Sequence, residues 1–184
     1  VERSRGLGDV YKRQVYMFEL NYRIVHSEYD DFIGQNGFFQ IKCNECIYGE
    51  IYPKELETIM DKVSLYDWFE RLARVIKYLM TKDYVALSDV ESYNTWIEFR
   101  KKNEEVIVSI VKAEKKEGSH DIEFVLKDPI AGEWEKQVIH YNQLKTEIIE
   151  KLGEYVECIT ISNTEHPEIK KLGELLKDFH KCDF

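Results

Sequence analysis

The sequence predicts an α+β protein in which a largely antiparallel, meander-like sheet carries a central amphipathic helix and two C-terminal helices. Three observations lead to this fold class. A long segment from Ser64 to about Thr81 has the apolar spacing of a helix, short alternating stretches lie on both sides of it, and helical periodicity returns near the C-terminus. Strands joined by short turns pair with their sequence neighbours, which favours antiparallel pairing.

The first fourteen residues are predicted to be foreign to the protein. Residues 9–14 (DVYKRQ) look like the translation of a transposon-end adapter used in DNA sequencing libraries, which would place the natural start at Met17. The alternative is a genuine basic arm. Removing residues 1–14 leaves 22 basic and 33 acidic residues and moves the formal charge from -9 to -11. Residues 15–184 are expected to form a single globular domain.

Three strands are predicted before the central helix. Residues 18–24 alternate between apolar and polar side chains, as a half-buried strand does. An acidic loop follows and ends at the pair Asn36-Gly37, which is typical of a turn. Residues 38–43 and 46–52 then form a hairpin around Asn44-Glu45, with either a tight turn or a longer bulged loop.

The central helix is predicted from its apolar face and its first residue. Ser64, with Asp67 three residues later, resembles a capping box in which Asp replaces the usual Glu or Gln. The side chains that share the apolar face are Leu65, Trp68, Phe69, Leu72, Val75, Ile76 and Leu79.

The second half of the chain contains further strands and two helices. The strands are predicted at residues 84–87, 95–101, 106–112, 122–126 and 134–141. Asn142 is expected to cap a helix that reaches Leu152 or, if Gly153 lies inside it, Ile159. Pro167 is expected at the first position of the last helix.

Composition and charge narrow the possible functions. A formal charge of -9 disfavours nucleic acid and anionic membranes as partners, because both attract clustered Lys and Arg. No apolar run approaches the roughly 20 residues that a membrane-spanning helix needs. The four cysteines are too few for a disulfide scaffold of 184 residues, so we expect a reducing, cytoplasmic location.

The sequence contains no recognisable catalytic motif and predicts no cofactor. It lacks the phosphate-binding glycine loop, the His-Glu-x-x-His zinc motif and the Gly-x-Ser-x-Gly nucleophile motif. Cys43 and Cys46 have the C-x-x-C spacing of a zinc ligand pair, which His180 and Cys182 could complete. Structural zinc sites usually show two tight pairs, so we interpret the cysteines as ordinary strand residues and expect no metal.

One succession of motifs resembles a known class of proteins. The motifs are residues 37–42 (GFFQIK), Tyr48-Gly49, Trp68-Phe69-Glu70, residues 84–87 (YVAL) and residues 96–99 (WIEF). Within residues 17–110 this order is similar to small immunity proteins of bacterial polymorphic-toxin systems, both contact-dependent and secreted. The resemblance implies a cytoplasmic, non-enzymatic, often acidic protein that binds the toxin domain of its own system.

The resemblance suggests where such a toxin domain would bind. Many of these toxins are nucleases with basic active sites, to which an acidic surface with exposed aromatic rings would be steered. Two acidic segments have that composition, although ordinary solvated loops have it too. Their candidate residues are Glu28, Tyr29, Asp30 and Asp31 in the first segment and Asp89, Glu91 and Tyr93 in the second.

Two other functions remain open at this point. The chain could be a small enzyme with an unrecognised acidic site, such as a metal-dependent hydrolase, or an interaction module of phage or regulatory origin. A deep pocket with converging carboxylates or histidines would favour the enzyme, whereas a filled core beneath an acidic, aromatic surface would favour a binding protein. The sequence leaves the oligomeric state open.

Overall fold

A computed structural model describes residues 17–163 and 165–181, so the predicted adapter segment, residues 1–14, lies outside the described residues. The described chain has an α+β fold with three α-helices and two antiparallel sheets. The strands are β1 (Phe18–Ile24), β2 (Asn36–Cys43), β3 (Cys46–Gly49), β4 (Val63–Ser64), β5 (Tyr84–Ser88), β6 (Thr95–Lys102), β7 (Glu105–Lys112), β8 (Ile122–Glu123), β9 (Ile130–Ala131) and β10 (Gln137–His140). The helices are α1 (Leu65–Leu79), α2 (Tyr141–Ser162) and α3 (Pro167–Lys181), and Lys54–Leu56 forms a 3₁₀ turn.

The first sheet is organised around β2. β1 pairs along one edge of β2, whereas β3 and β4 pair with different parts of its other edge. Asn36 and Gly37 pair with β4 inside this sheet, so the turn predicted at these residues is wrong. The turn between β2 and β3 contains only Asn44 and Glu45, and Asn44 takes a φ of 55°, which asparagine tolerates better than most residues.

The second sheet is built on the meander β5–β6–β7. β8 extends it beside β5, and β9 and β10 both pair with β7. The sequence predicted one sheet, whereas the strands divide into two. Among the contacts between them, Asn44 Nδ2 donates to Gln137 Oε1 at 3.1 Å, and the Tyr48 hydroxyl donates to the Asp89 carboxylate. β10 begins later than predicted because Lys136 has a φ of 54°, which interrupts the extended backbone.

The helix α1 is the centre of the hydrophobic core. All seven apolar residues predicted for its inner face are buried, and Ser64 Oγ accepts from Asp67 N at 3.2 Å, which confirms the predicted cap. α1 packs against β2 of the first sheet and β5 of the second. Phe69 stacks on Tyr155 of α2 with ring centroids 4.6 Å apart, so this helix joins both sheets to the C-terminal helices.

The two C-terminal helices are present, but α2 begins and ends differently from the prediction. Asn142 is not its N-cap: His140 occupies that position, and the N–H of Tyr141 donates to the backbone O of Glu104 at 2.7 Å. A carbonyl group from the β6–β7 turn therefore takes the place of a capping side chain. Gly153 lies inside α2, which packs on β1 and β10, and Pro167 begins α3 as predicted.

Candidate partner-binding surface

The acidic loop between β1 and β2 is fixed by contacts with the helices. Phe32 is buried, and its ring lies 5.9 Å from that of Tyr66 in α1. Asn163, after α2, makes two hydrogen bonds to the backbone of Ile33: its Oδ1 accepts from the N–H at 3.1 Å, and its Nδ2 donates to the O at 2.9 Å. The loop therefore has a defined shape in the folded protein.

The four predicted residues of this loop divide into two groups. The Asp30 side chain is only 1% exposed, and it accepts from Asn36 Nδ2 at 2.6 Å and from a backbone N–H three residues earlier at 3.0 Å. Glu28 and Asp31 are exposed, and Tyr29 is 87% exposed. Asp30 therefore holds the loop together, while the other three residues face the solvent.

The second acidic loop, between β5 and β6, follows the same arrangement. Asp89 is buried, where its carboxylate accepts from the Tyr48 hydroxyl and, at 3.0 Å, from the N–H of Glu91. Lys115 Nζ donates to the backbone O of Asp89 at 2.8 Å. Tyr93 is 81% exposed, so its ring is available at the surface of an ordered loop.

Both loops contact the N-terminal end of α1. The backbone O of Gln35 accepts from the N–H of Leu65 at 2.9 Å, and the Glu91 carboxylate accepts from the N–H of Ser64. Two segments that are far apart in sequence are thus anchored at one end of the central helix through Gln35 and Glu91. We call their exposed residues the acidic–tyrosine surface: Glu28, Tyr29, Asp31, Glu91 and Tyr93.

The carboxylates at this helix end repel one another. Partial burial raises the pKa of the Glu91 carboxyl group, and the negative charges of Asp89 and Asp67 raise it further. The bond from Ser64 N–H and the charge of Arg71 oppose this shift. A positive group from a partner would stabilise the ionised form of Glu91 in the same way.

The four residues considered as metal ligands are not assembled into a site by the described part of the chain. Cys43 and Cys46 face each other across the β2–β3 hairpin, and His180 lies in α3, which packs on α2 and α1. Cys182 lies outside the described residues. Within residues 17–163 and 165–181, no group of three or more His, Cys, Asp or Glu side chains is placed to hold a metal ion.

Cys43 is expected to resist alkylation in the folded protein. Burial, with a smaller contribution from Cys46, raises the pKa of its thiol to about 12, so at pH 8 about one thiol in ten thousand is ionised. Iodoacetamide should modify the exposed Cys158 readily and leave Cys43 unmodified until urea unfolds the chain. Peptide mapping by mass spectrometry measures both sites, and equal native rates at Cys43 and Cys158 would contradict the burial of Cys43.

A groove that the sequence did not indicate lies beside β3. It has a volume of about 380 Å³. Its lining includes the apolar or aromatic residues Phe38, Ile47, Tyr52 and Val63 and the carboxylates Glu50, Asp61 and Glu133. Arg23 lies beside the groove, with its guanidinium 5.3 Å from the centroid of the Phe38 ring, and its Nε is paired with Glu57 at 3.1 Å. The three carboxylates come from three separate segments, so no local pattern could have predicted their proximity.

A buried carboxylate on the second sheet is fully engaged by its neighbours. Glu98, only 4% exposed, accepts from the Tyr84 hydroxyl at 2.6 Å and from Arg100 Nη2 at 2.8 Å. The Arg100 guanidinium lies over the Tyr84 ring at 4.6 Å. This cluster stabilises its own charges and offers less free charge to a partner than the acidic–tyrosine surface does.

The fold class and the two acidic loops are defined by the structure, but no family is identified for the chain. The chain is an α+β protein with two ordered acidic loops at one end of its central helix. No protein-family model, curated protein or solved structure matches the chain. None of the helices in the described residues combines the length and apolar content needed to cross a membrane.

Proposed function

We propose that the chain is a cytoplasmic, non-enzymatic immunity protein that binds and neutralises the toxin domain of its own polymorphic-toxin system through the acidic–tyrosine surface. The observation that carries this proposal is the exposure of Tyr29 and Tyr93, at 87% and 81%, on loops that are held from within. The resemblance of residues 17–110 to such immunity proteins supplies the class of partner.

The fixed conformation of the two loops supports a role in binding. Asp30 and Asp89 bond to groups of their own loops, so both loops keep their shape without a partner. Association then costs little additional conformational entropy. An exposed tyrosine on such a loop offers a large ring with few rotatable bonds, and tyrosine is among the residues that contribute most to protein interfaces.

The charge of the chain supports a basic partner. The formal charge of -9 would attract a protein with a positive active site and would repel nucleic acid. A nuclease domain has such a site because it holds phosphate groups. Glu91, whose carboxyl pKa is raised by partial burial and then by its acidic neighbours, would be stabilised by a Lys or Arg of the toxin domain.

Growth rescue tests this proposal. The toxin domain encoded next to this gene should stop bacterial growth when it is expressed alone, and co-expression of the chain should restore growth. The two proteins should also co-purify, because neutralisation requires a stable complex. If the chain is expressed in excess over the toxin domain and neither restores growth nor co-purifies with it, the proposed function is wrong.

A further inference from the structure

The edge of β3 that faces away from β2 is open for backbone pairing. The N–H of Val25 donates to the backbone O of Asn36 at 3.1 Å. The backbone N–H and C=O groups of the even-numbered residues of β2 therefore point to β1, and those of the odd-numbered residues point to β3. On β3, the backbone groups of Cys46 and Tyr48 therefore bond to β2. Those of Ile47, which lies between them, point to the open edge. This edge belongs to the groove described above.

The backbone around Gly49 creates the groove. Gly49 has a φ of +79°, and a Cβ at this position would lie 2.3 Å from the backbone O of Phe39. After Gly49 the chain turns away from the edge of β2 with which β3 pairs, and it returns to the same edge as β4, opposite Gly37. Phe38 and Phe39 therefore lie between the parts of this edge that pair with β3 and β4. Within the described residues, no strand pairs with this edge of β2 at Phe38 and Phe39.

The lining of the groove combines apolar contacts with negative charge. Ile47 is 50% exposed, and the Tyr52 hydroxyl bonds to the Glu50 carboxylate. Asp61 and Glu133 are exposed. A ligand that fits this lining needs backbone groups for the edge, apolar side chains for Ile47 and cationic side chains for the carboxylates.

We propose that this groove binds an extended segment of the partner protein as an additional strand beside β3, with Lys or Arg at alternate positions of the segment. Alternate side chains of a strand point to the same face, so one set can meet Glu50, Asp61 and Glu133 while the main chain pairs with Ile47. Only the identity of the partner as a toxin domain rests on the proposed function. The groove itself is tested without that partner.

A labelled octapeptide of alternating Lys and Val is the probe, and fluorescence anisotropy measures its binding to the full chain. The triple variant Glu50→Gln, Asp61→Asn, Glu133→Gln should bind the peptide about tenfold more weakly, since three individually weak exposed ion pairs are removed together. The matched control is Glu104→Gln, Glu117→Gln, Glu174→Gln, which removes the same charge from exposed positions. Equal weakening by both triple variants would show non-specific charge attraction and would overturn the proposal.

Backbone methylation of the peptide tests strand pairing separately. Two peptides are methylated at the backbone nitrogens of one or the other alternate set of residues. Only the set that faces β3 should weaken binding, because methylation removes its N–H donors. Equal binding of both methylated peptides and the parent peptide would contradict strand addition. If the wild-type chain did not bind the parent peptide but still restored growth, the groove inference would be rejected and the proposed immunity function would stand.

Discussion

Replacement of Phe69 by alanine is expected to lower the free energy of unfolding by about 3–5 kcal/mol. Phe69 is fully buried in α1, and its ring contacts three other aromatic rings. The centroids of Tyr22 and Phe39 lie at 5.0 and 5.7 Å, and that of Tyr155 lies at 4.6 Å. The substitution would leave a cavity where β1, β2 and α2 meet, which these elements cannot close without losing their other contacts.

Urea unfolding followed by circular dichroism measures this loss of stability. Tyr29→Ala is the matched control, because it removes an aromatic ring of similar size from a position that is 87% exposed. Its free energy of unfolding should stay within about 0.5 kcal/mol of the wild-type value. If Phe69→Ala were as stable as Tyr29→Ala, the assignment of α1 as the centre of the core would be wrong.

The second large effect is expected on toxin binding. The double variant Tyr29→Ala, Tyr93→Ala should bind the toxin domain about 100-fold more weakly. Each anchoring tyrosine is expected to contribute about 1.4 kcal/mol to the binding free energy, which is about tenfold in affinity for each ring. The fold should be unaffected, since the two rings are 87% and 81% exposed. Isothermal titration calorimetry measures the dissociation constant.

A matched control keeps this prediction specific to the two loops. Met80 and Val125 are 47% and 79% exposed, and they lie at the C-terminal end of α1 and just after β8. The double variant Met80→Ala, Val125→Ala removes exposed apolar surface away from the acidic loops. It should bind the toxin domain within about twofold of the wild-type chain, since contacts outside an interface contribute little to its affinity.

The sequence predicted individual elements better than their arrangement. The apolar spacing of α1 identifies its buried face because a helix has one period and one inner stripe. Alternation in a strand shows which side chains are buried but not which strand lies beside it. The division into two sheets, and the bond from Asn44 to Gln137 between them, depend on contacts 93 residues apart. The start of α2 at Tyr141 likewise depends on a carbonyl group of another turn.

The candidate surface was predictable by segment but not by residue. Acidic composition with tyrosine marked both loops, yet it could not show that Asp30 and Asp89 are engaged by Asn36 and Tyr48. A carboxylate that stabilises its own loop and one that faces the solvent look the same in a sequence. The groove beside β3 gave no signal at all, because its carboxylates converge only after the chain folds.

Calorimetric titration of the proposed partner, a toxin domain, is the most direct test of binding through the acidic–tyrosine surface. Three chains are compared: the wild type, the Tyr29→Ala, Tyr93→Ala variant and the Met80→Ala, Val125→Ala control. We expect tight binding by the wild type and the control, and binding about 100-fold weaker by the tyrosine variant. Equal affinity of all three chains would contradict the proposed surface.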